Sequence, residues 1–371
     1  MADQLPTVWD ITPHTLAKHQ ILTTYLKAWM PIMSHQSHQI GAAGGRLLFV
    51  DGFAGPGSYK GGEEGSPILA IKSVLGHSHD FQIPVRFLFI EEDAERCNFL
   101  IDAVQKQKQQ IDRCSKIESY LVKQGDCKKV LTSYLNDLQN KGEKLGPALF
   151  FLDQFGFSDV PMELITRIMA NPVCEVFSYL NWGNMNRFLT DETKWSSITS
   201  AFGSEEWQEV FKLEVSKRAA FMLETYKKAI KQRTHSKYVW NFAMCDENGT
   251  LLYWLVFSTN SLRGLEVMKS AMWKVDKTGG FRFSDNENPY QLALFASCTD
   301  KILAGEIKTK LSGQTLTVEQ VKEFVLTNTP AYLFKESLKI LEDAKDLEII
   351  SAPPKRRKGT FPDDRITLRI L

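Results

Sequence analysis

The residues of this chain that can do chemistry are acids placed at the ends of short apolar runs. Leu47–Val50 is such a run, closed by Asp51 and followed within six residues by Gly52, Gly55 and Gly57. A run of this length reads as a buried strand. The glycines after it allow positive φ and a close approach of backbone to a ligand. Their spacing in GFAGPG is not the G-x-G-x-x-G of a dinucleotide turn, and no G-K-[ST] follows, so neither phosphate cradle is present. A carboxylate aimed at the turn repels phosphate and suits a positive charge. S-adenosylmethionine carries two, an ammonium and a sulfonium, and is the cofactor expected here, over Asp51, Gly52, Phe53, Gly55 and Gly57. A glycine turn kept for packing alone is the competing reading.

Two further strand ends continue the pattern. FLFIEED places Glu91, with Glu92 and Asp93 behind it, where a second strand should present an acid to ribose hydroxyls. A carboxylate suits that task because it accepts two hydrogen bonds at once. KQGDC places Asp126 and Cys127 at the third end, near an adenine amine. Each acid taken singly also reads as a solvated strand end or a helix N-cap; it is their order at three successive ends that points to a cofactor. The fourth run, ALFFLDQFGFSD, ends at Asp153. Asp153-Gln154-Phe155 resembles the D-P-P-[FY] motif of methyltransferases that act on exocyclic amines. An amine conjugated to a ring is a poor nucleophile, and an acceptor carboxylate with a backbone carbonyl draws its nitrogen towards tetrahedral geometry for in-line attack. Asp153 is the expected acceptor, and Phe155 or Phe157 the stacking face for a base. Gln154 stands where proline is usual, which removes a rigid turn; the alternative for Asp153 is a cap on the helix starting near Pro161.

NWGNMNRF after the fifth run offers Asn181, Asn184, Asn186 and Arg187 for base edges or phosphate, against a plain polar loop with Asx turns. On the first helix, Lys18 shares a face with His14 and sits beside His19. If that helix crosses the site, Lys18 pairs with the methionine carboxylate of the cofactor; otherwise it lies on a solvated face.

The elements that must position these residues alternate. RLLFVD, VRFLFIE, YLVKQGD, ALFFLD and CEVFSYLN read as parallel strands covered on both faces, with helices near Ser66–Leu75, Ala94–Gln107, Lys128–Asn136 and Pro161–Met169 between them. That series predicts an α/β, doubly wound, Rossmann-like open sheet, preceded by an amphipathic helix at about Thr12–Met33. YVWNFAMC and TLLYWLVFST flank an Asn248-Gly249 hairpin signal and are expected to close the sheet edge as an antiparallel pair. A Gly/Asn/Asp-rich loop from Thr278 to Pro289 ends this domain, 1–290. From 291 to 371, helices at Leu292–Leu311, Val318–Leu326 and Leu333–Ala344 and a terminal hairpin follow the order of a winged helix. The hairpin tip carries Lys355, Arg356, Arg357 and Lys358, a basic wing suited to phosphates or a minor groove, or else a solvated loop.

With 45 basic and 44 acidic residues in 371, the net charge of +1 favours no class of partner. No apolar run reaches membrane-spanning length and no leader pattern opens the chain, so a soluble, cytoplasmic protein is expected. Six scattered cysteines make no C-x-x-C pair, so no metal site is expected.

HTLAKHQILTTYLKAWMPI, FVDGFAGPG, FIEED, FLDQFGF, LNWGNMNRF and RGLEVMKSAMWKVD together resemble the bacterial three-Cys-motif partner proteins. These look like class I S-adenosylmethionine-dependent methyltransferases with a C-terminal winged helix. The family usually reads D-P-F-G where this chain has Asp153-Gln154-Phe155-Gly156. The resemblance implies a three-cysteine, radical S-adenosylmethionine-like protein as partner. The expected function is methyl transfer to a nucleic acid, DNA or RNA, at a base amine. A non-catalytic nucleic-acid-binding partner subunit, and a small-molecule or protein methyltransferase, stand as alternatives.

Overall fold

The computed structural model describes residues 7–40, 46–234, 236–276, 282–284, 300–362 and 365–371. Most of the expected loop from Thr278, the start of the expected helix at Leu292, the boundary after residue 290 and Cys298 lie outside them. The chain divides into two compact units, Met1–Val267 with Phe283–Asn286, and Met268–Arg282 with Glu287–Leu371.

The first unit is built on an eight-stranded sheet. Its strands are β1 (Leu47–Asp51), β2 (Val85–Glu91), β3 (Ile117–Gln124), β4 (Ala148–Leu152), β5 (Cys174–Leu180), β6 (Tyr238–Cys245), β7 (Leu251–Thr259) and β8 (Arg282–Ser284), in the order β3-β2-β1-β4-β5-β7-β6-β8. The first five are parallel, and β7 runs antiparallel to both β5 and β6. This is the doubly wound α/β class that the alternating pattern predicts. β1 and β4 are buried nearly throughout, as parallel strands covered by helices must be. β3 departs from the expectation: at the sheet edge it buries only Ile117, and its Leu121 is exposed. β1 pairs with β2 on one side and β4 on the other, so the strand order reverses at the β1/β4 boundary. Such a switch point opens a crevice at the carboxyl ends of the strands.

Helix α1 (Pro13–Ile40) outruns the expected end at Met33 and carries Pro31 inside it. Ala17, Ile21, Leu22, Tyr25, Leu26, Trp29 and Met30 form one buried stripe. Lys18 stands four residues before Leu22 on that stripe and is buried with it. Ser34 ties the far end of the helix to the approach of β2: its hydroxyl donates to the Ile83 carbonyl at 3.0 Å and accepts from the Ile83 N–H at 2.7 Å. Next come α2 (Ser66–Leu75), α3 (Ala94–Gln105), α4 (Lys108–Asp112), α5 (Cys127–Asn140), α6 (Met162–Met169), α7 (Trp182–Phe188), α8 (Trp195–Phe202), α9 (Val215–Thr234) and α10 (Leu262–Val275).

The glycine turn after β1 is shaped by packing as well as by any ligand. Gly57 has φ +80°, and a Cβ there would lie 3.0 Å from Leu100 and 3.1 Å from Ala103 of α3. Gly57→Ala is expected to destabilise the protein by roughly 1–3 kcal/mol through backbone strain and overpacking. Urea unfolding checks this: the midpoint falls with the slope unchanged.

The second unit contains α11 (Asp300–Leu311), β9 (Thr315–Thr317), α12 (Val318–Asn328), α13 (Lys335–Asp343), β10 (Leu347–Ser351) and β11 (Thr367–Ile370), the three strands ordered β10-β11-β9 and antiparallel. This is the winged-helix order. Ile307, Val321, Val325, Leu338 and Leu368 are among its core. Thr317 and Gln320 cap α12 reciprocally. At the other end of α12, fully buried Lys269 donates to the carbonyls of Leu326 at 2.9 Å and Thr329 at 2.6 Å. A cation there satisfies carbonyls that a helix end leaves free and complements the helix dipole.

Candidate functional site

The crevice at the switch point is bounded by the glycine turn after β1, the loop after β4, the start of α1 and the segment before it. Asp51 ends β1 and is fully buried. Its Oδ1 accepts from the Phe53 N–H at 3.2 Å, and its Oδ2 is buried without a hydrogen-bond partner among the described residues. Burial pushes the Asp51 carboxyl up to about 7; the nearby Ser66 hydroxyl, which falls short of hydrogen-bond geometry, and the Phe53 N–H pull it back in part, Asp153 raises it further and Lys18 lowers it. A buried carboxylate oxygen with no donor is costly unless something positive or donating meets it.

Backbone bonds fix the turn. Gly52 N donates to Phe151 O and Ala54 N to Ile90 O, both at 2.9 Å, and Gly55 N donates to Glu91 Oε2 at 2.9 Å. The other Glu91 oxygen accepts from Asp93 N at 2.9 Å and Arg96 Nε at 3.1 Å. Glu91 is thus buried and already takes three donors, where a carboxylate accepts about four. It is a strut between the glycine turn and α3, with one acceptor position left for a ligand. Glu92 is exposed. Asp93 and Asp126 cap α3 and α5, accepting from Arg96 N and Lys129 N at 2.9 and 2.7 Å. Cys127 is buried beneath Gly52, where an added Cβ would meet its sulfur at 2.7 Å, and burial raises its thiol pKa.

Asp153 follows β4, and Lys18 of α1 donates to its Oδ2 in an ion pair with only 10% and 19% side-chain exposure. Lys18 therefore does not lie on a solvated face, and Asp153 does not cap α6, whose N-cap is Pro161 with no side-chain bond. The neighbouring His19 is held neutral: burial first, then Lys18, lower its pKa to about 3.

Gln154 is buried and does the work expected of a stiff turn. Its Oε1 accepts from Asp159 N at 3.0 Å and Val160 N at 3.1 Å, and its Nε2 donates to Tyr179 O at 3.4 Å. The turn lost with proline is rebuilt by a side chain. Phe155 is 55% exposed, whereas Phe157 belongs to the core; only the former is free to stack a substrate ring. Asn181 and Asn184 donate to the Phe155 carbonyl at 3.0 and 3.4 Å, and Asn181 caps α7. They fix the Phe155 loop, while Asn186 and Arg187 are exposed on α7.

Two residues outside the sequence motifs, Trp9 and Tyr59, complete the crevice. Trp9 lies edge-on to Phe155 and to Tyr59, each at 6.0 Å between ring centres, and the Tyr59 and His19 rings are 5.8 Å apart. The aromatics and Lys18 leave a cavity of about 70 Å³. No cluster of three or more His, Cys, Asp or Glu among the described residues could hold a metal ion, and no described helix is long and apolar enough to cross a membrane.

The basic wing of the second unit is half neutralised. Arg356 forms a bidentate pair with Glu342 of α13 at 2.7 and 2.8 Å, donates to Thr360 O at 2.9 Å and lies 4.8 Å over the Phe361 ring. Lys358 pairs with Asp343 at 2.6 Å. Among the described residues, Lys355 and Arg357 of the four present exposed charges without an acidic partner. The expectation of four cations available to phosphate is corrected to two, because α13 places acids under the tip.

A family model described as a GMT-like wHTH domain matches residues 280–354. No curated protein matches the chain in sequence. Among solved structures, the complex of Trm1 from Pyrococcus horikoshii with S-adenosyl-L-methionine is 10% identical with a TM-score of 0.37, over 76% of this chain and 64% of that one. A presumptive O-methyltransferase from Klebsiella pneumoniae is 12% identical with a TM-score of 0.31, over 68% and 82%. A presumptive methyltransferase from Porphyromonas gingivalis W83 is 11% identical with a TM-score of 0.26, over 58% and 37%. This chain thus spans less than two thirds of the Pyrococcus and Porphyromonas chains. At such identities and scores these likenesses decide nothing about chemistry.

Proposed function

We propose that the crevice binds S-adenosylmethionine and that the protein transfers its methyl group to an amine of a nucleic-acid base. The observation that carries this reading is Asp51: a fully buried carboxylate with an orphaned oxygen, at the switch point of a doubly wound sheet, beside a glycine turn. Its donor requirement fits an ammonium. Glu91 offers its remaining acceptor position to a ribose hydroxyl, and Asp126 with Cys127 stands at the third strand end, towards the adenine. Phe53, Gly55 and Gly57 form the floor. When bound, the cofactor supplies an electrophilic methyl group.

A cavity of about 70 Å³ is smaller than ordinary ligand pockets, which run to several hundred. Entry requires the Trp9 segment and the start of α1 to draw back and the Lys18–Asp153 pair to part. Parting frees both ends at once: Lys18 for the carboxylate of the methionine moiety, Asp153 for the N–H groups of the incoming amine. Asp153 accepts a proton-bearing nitrogen and favours the positive charge that grows on it, and Phe155 and Trp9 hold the ring. Labelled cofactor incubated with the protein and with separate DNA, RNA, protein and small-molecule fractions tests the reading; label entering a nucleic acid supports it, and label entering only another fraction moves the assignment there.

For the winged helix, nucleic-acid binding through Lys355 and Arg357 is the matching proposal, supported by the wHTH match. Removing both charges should weaken binding about evenly across sequences and reduce the salt slope by about two, one per phosphate contact. Arg356→Ala should instead lower the stability of the unit, because it leaves the half-buried Glu342 carboxylate without its cation, held only by the Gly359 N–H. Filter binding across a salt series, with thermal unfolding alongside, separates the two. A second reading is favoured by the closed crevice: a non-catalytic partner subunit of a three-cysteine, radical S-adenosylmethionine-like protein, in which Lys18 holds Asp153 permanently. It predicts no label transfer to any fraction.

A further inference from the structure

A second cavity lies at the opposite end of the same sheet. Arg46 lies just before β1, and Leu48 follows two residues on, in register with Arg86 of β2. Side chains alternate along a strand, so Arg46, Leu48 and Arg86 share one face of the sheet. Helix α5 packs against β2, with Tyr134 and Leu138 one turn apart. A helix-covered face of parallel strands is ordinarily apolar. Here it carries two arginines, and between sheet and helix lies a cavity of about 600 Å³ that both arginines, Tyr134 and Lys144 line.

These groups have little to satisfy them within the protein. Among the described residues, half-buried Arg86 meets no carboxylate or carbonyl acceptor, and Tyr134, also half-buried, makes no hydrogen bond. Arg46 pairs with Glu118, at 3.5 Å, in a largely exposed pair; such pairs are weak and exchange readily. Lys144 is exposed and unpaired. Both guanidiniums bear on the Tyr134 hydroxyl, pulling its pKa down against the larger upward push of burial. The rest of the lining is aliphatic, from Leu48, Leu138 and Leu145, with Glu143 the one acid in it. Three cations against Glu143 in the lining and Glu118 beside Arg46 leave an excess of one positive charge, which favours an anionic ligand. Guanidinium forks suit phosphate oxygens, and the volume is that of a pocket for a whole small molecule.

We propose that this cavity binds a small organic phosphate, its phosphoryl group on Arg86, Arg46 and the Tyr134 hydroxyl and its flat or aliphatic body on Leu48, Leu138 and Leu145. The site is separate from the crevice at Asp51 and does not depend on the function proposed there.

Phenyl phosphate is a suitable probe, having neither the ammonium nor the adenosine that the crevice would recognise. Calorimetric titration of the full chain is expected to show one site in the millimolar range or tighter, with inorganic phosphate and phenol each about tenfold weaker. Arg86→Leu should weaken binding roughly ten- to hundredfold, the usual effect of losing a charge-assisted hydrogen bond. Arg86→Lys and Tyr134→Phe, which alter the packing least, should give smaller losses; they carry the test if the leucine variant does not fold. No binding of phenyl phosphate at millimolar concentration overturns the proposal. So does binding that these variants leave unchanged, or binding no tighter than that of inorganic phosphate.

Discussion

Asp153→Asn is expected to slow methyl transfer by roughly 10²–10³, the usual effect of losing one group aimed at developing charge, without weakening the affinity for S-adenosylmethionine. The substitution preserves shape but replaces one acceptor oxygen with an N–H donor. Facing an amine, that donor repels an N–H and gives nothing to the positive charge on nitrogen. Asp153 stands after β4, and the cofactor would be held at the ends of the first three strands, so the two effects separate. Lys18 bears on both stability and binding: with its partner gone, a cation with 10% side-chain exposure is left unpaired, so some loss of melting temperature is expected, and the same cation, no longer held by Asp153, is free for the methionine carboxylate. Single-turnover transfer of labelled methyl, with cofactor binding on the same sample, checks the prediction. Full rate in the variant removes Asp153 from the chemistry.

Asp51→Asn should have two large effects of opposite sign. It should abolish cofactor binding, because the orphaned oxygen next to the turn becomes an amide. It should also stabilise the free protein at alkaline pH. Burial raises the Asp51 carboxyl from the usual 3.8 to about 7. Between those values the folded protein holds a proton that the unfolded chain has released, so stability is full below about pH 4 and is lost as pH rises through about 7. Asparagine carries no such charge and removes this part of the slope. Glu175 keeps another part: it is fully buried at the start of β5, accepts from Tyr25 at 2.5 Å and Thr259 at 2.6 Å, and is likewise raised by burial to about 7. Denaturant unfolding should therefore show, between about pH 6.5 and about pH 7.5, a reduced fall of stability with rising pH in Asp51→Asn and a smaller one still when Glu175→Gln is added; below about pH 6.5 the neutral, buried His19 adds a slope of the opposite sign. An unchanged slope would mean that Asp51 is ionised and compensated in the free protein.

Much of the crevice was legible because acids that end apolar runs must fall at the carboxyl end of a parallel sheet. Asp51, the glycine turn and Asp153 needed no more than that. The role of Glu91 as a strut was not legible, since it depends on the turn folding back until Gly55 N reaches a neighbouring strand end. The Lys18–Asp153 pair spans 135 positions in sequence and exists because α1 crosses the switch point. One signal was present: Lys18 interrupts an otherwise apolar stripe four residues before Leu22, and a lysine on a buried stripe needs a counter-charge. Gln154 read as a defect because a motif records the residue and not the bonds that replace it. The wing misled for the converse reason. A run of four cations looks free until the acids Glu342 and Asp343 of the preceding helix are found beneath it. Trp9 lies outside any periodic segment, where pattern reading has nothing to hold.

A switch-point crevice that takes a cationic cofactor should show it in calorimetric titration with S-adenosylmethionine. The titration is run at about pH 6 and about pH 8, on either side of the Asp51 pKa of about 7. One molecule should bind per chain, more tightly at the higher pH because the ionised carboxylate meets the ammonium, with protons released at the lower pH and no binding by Asp51→Asn. Absence of binding at millimolar concentration at both pH values, or equal binding by Asp51→Asn, would contradict the account.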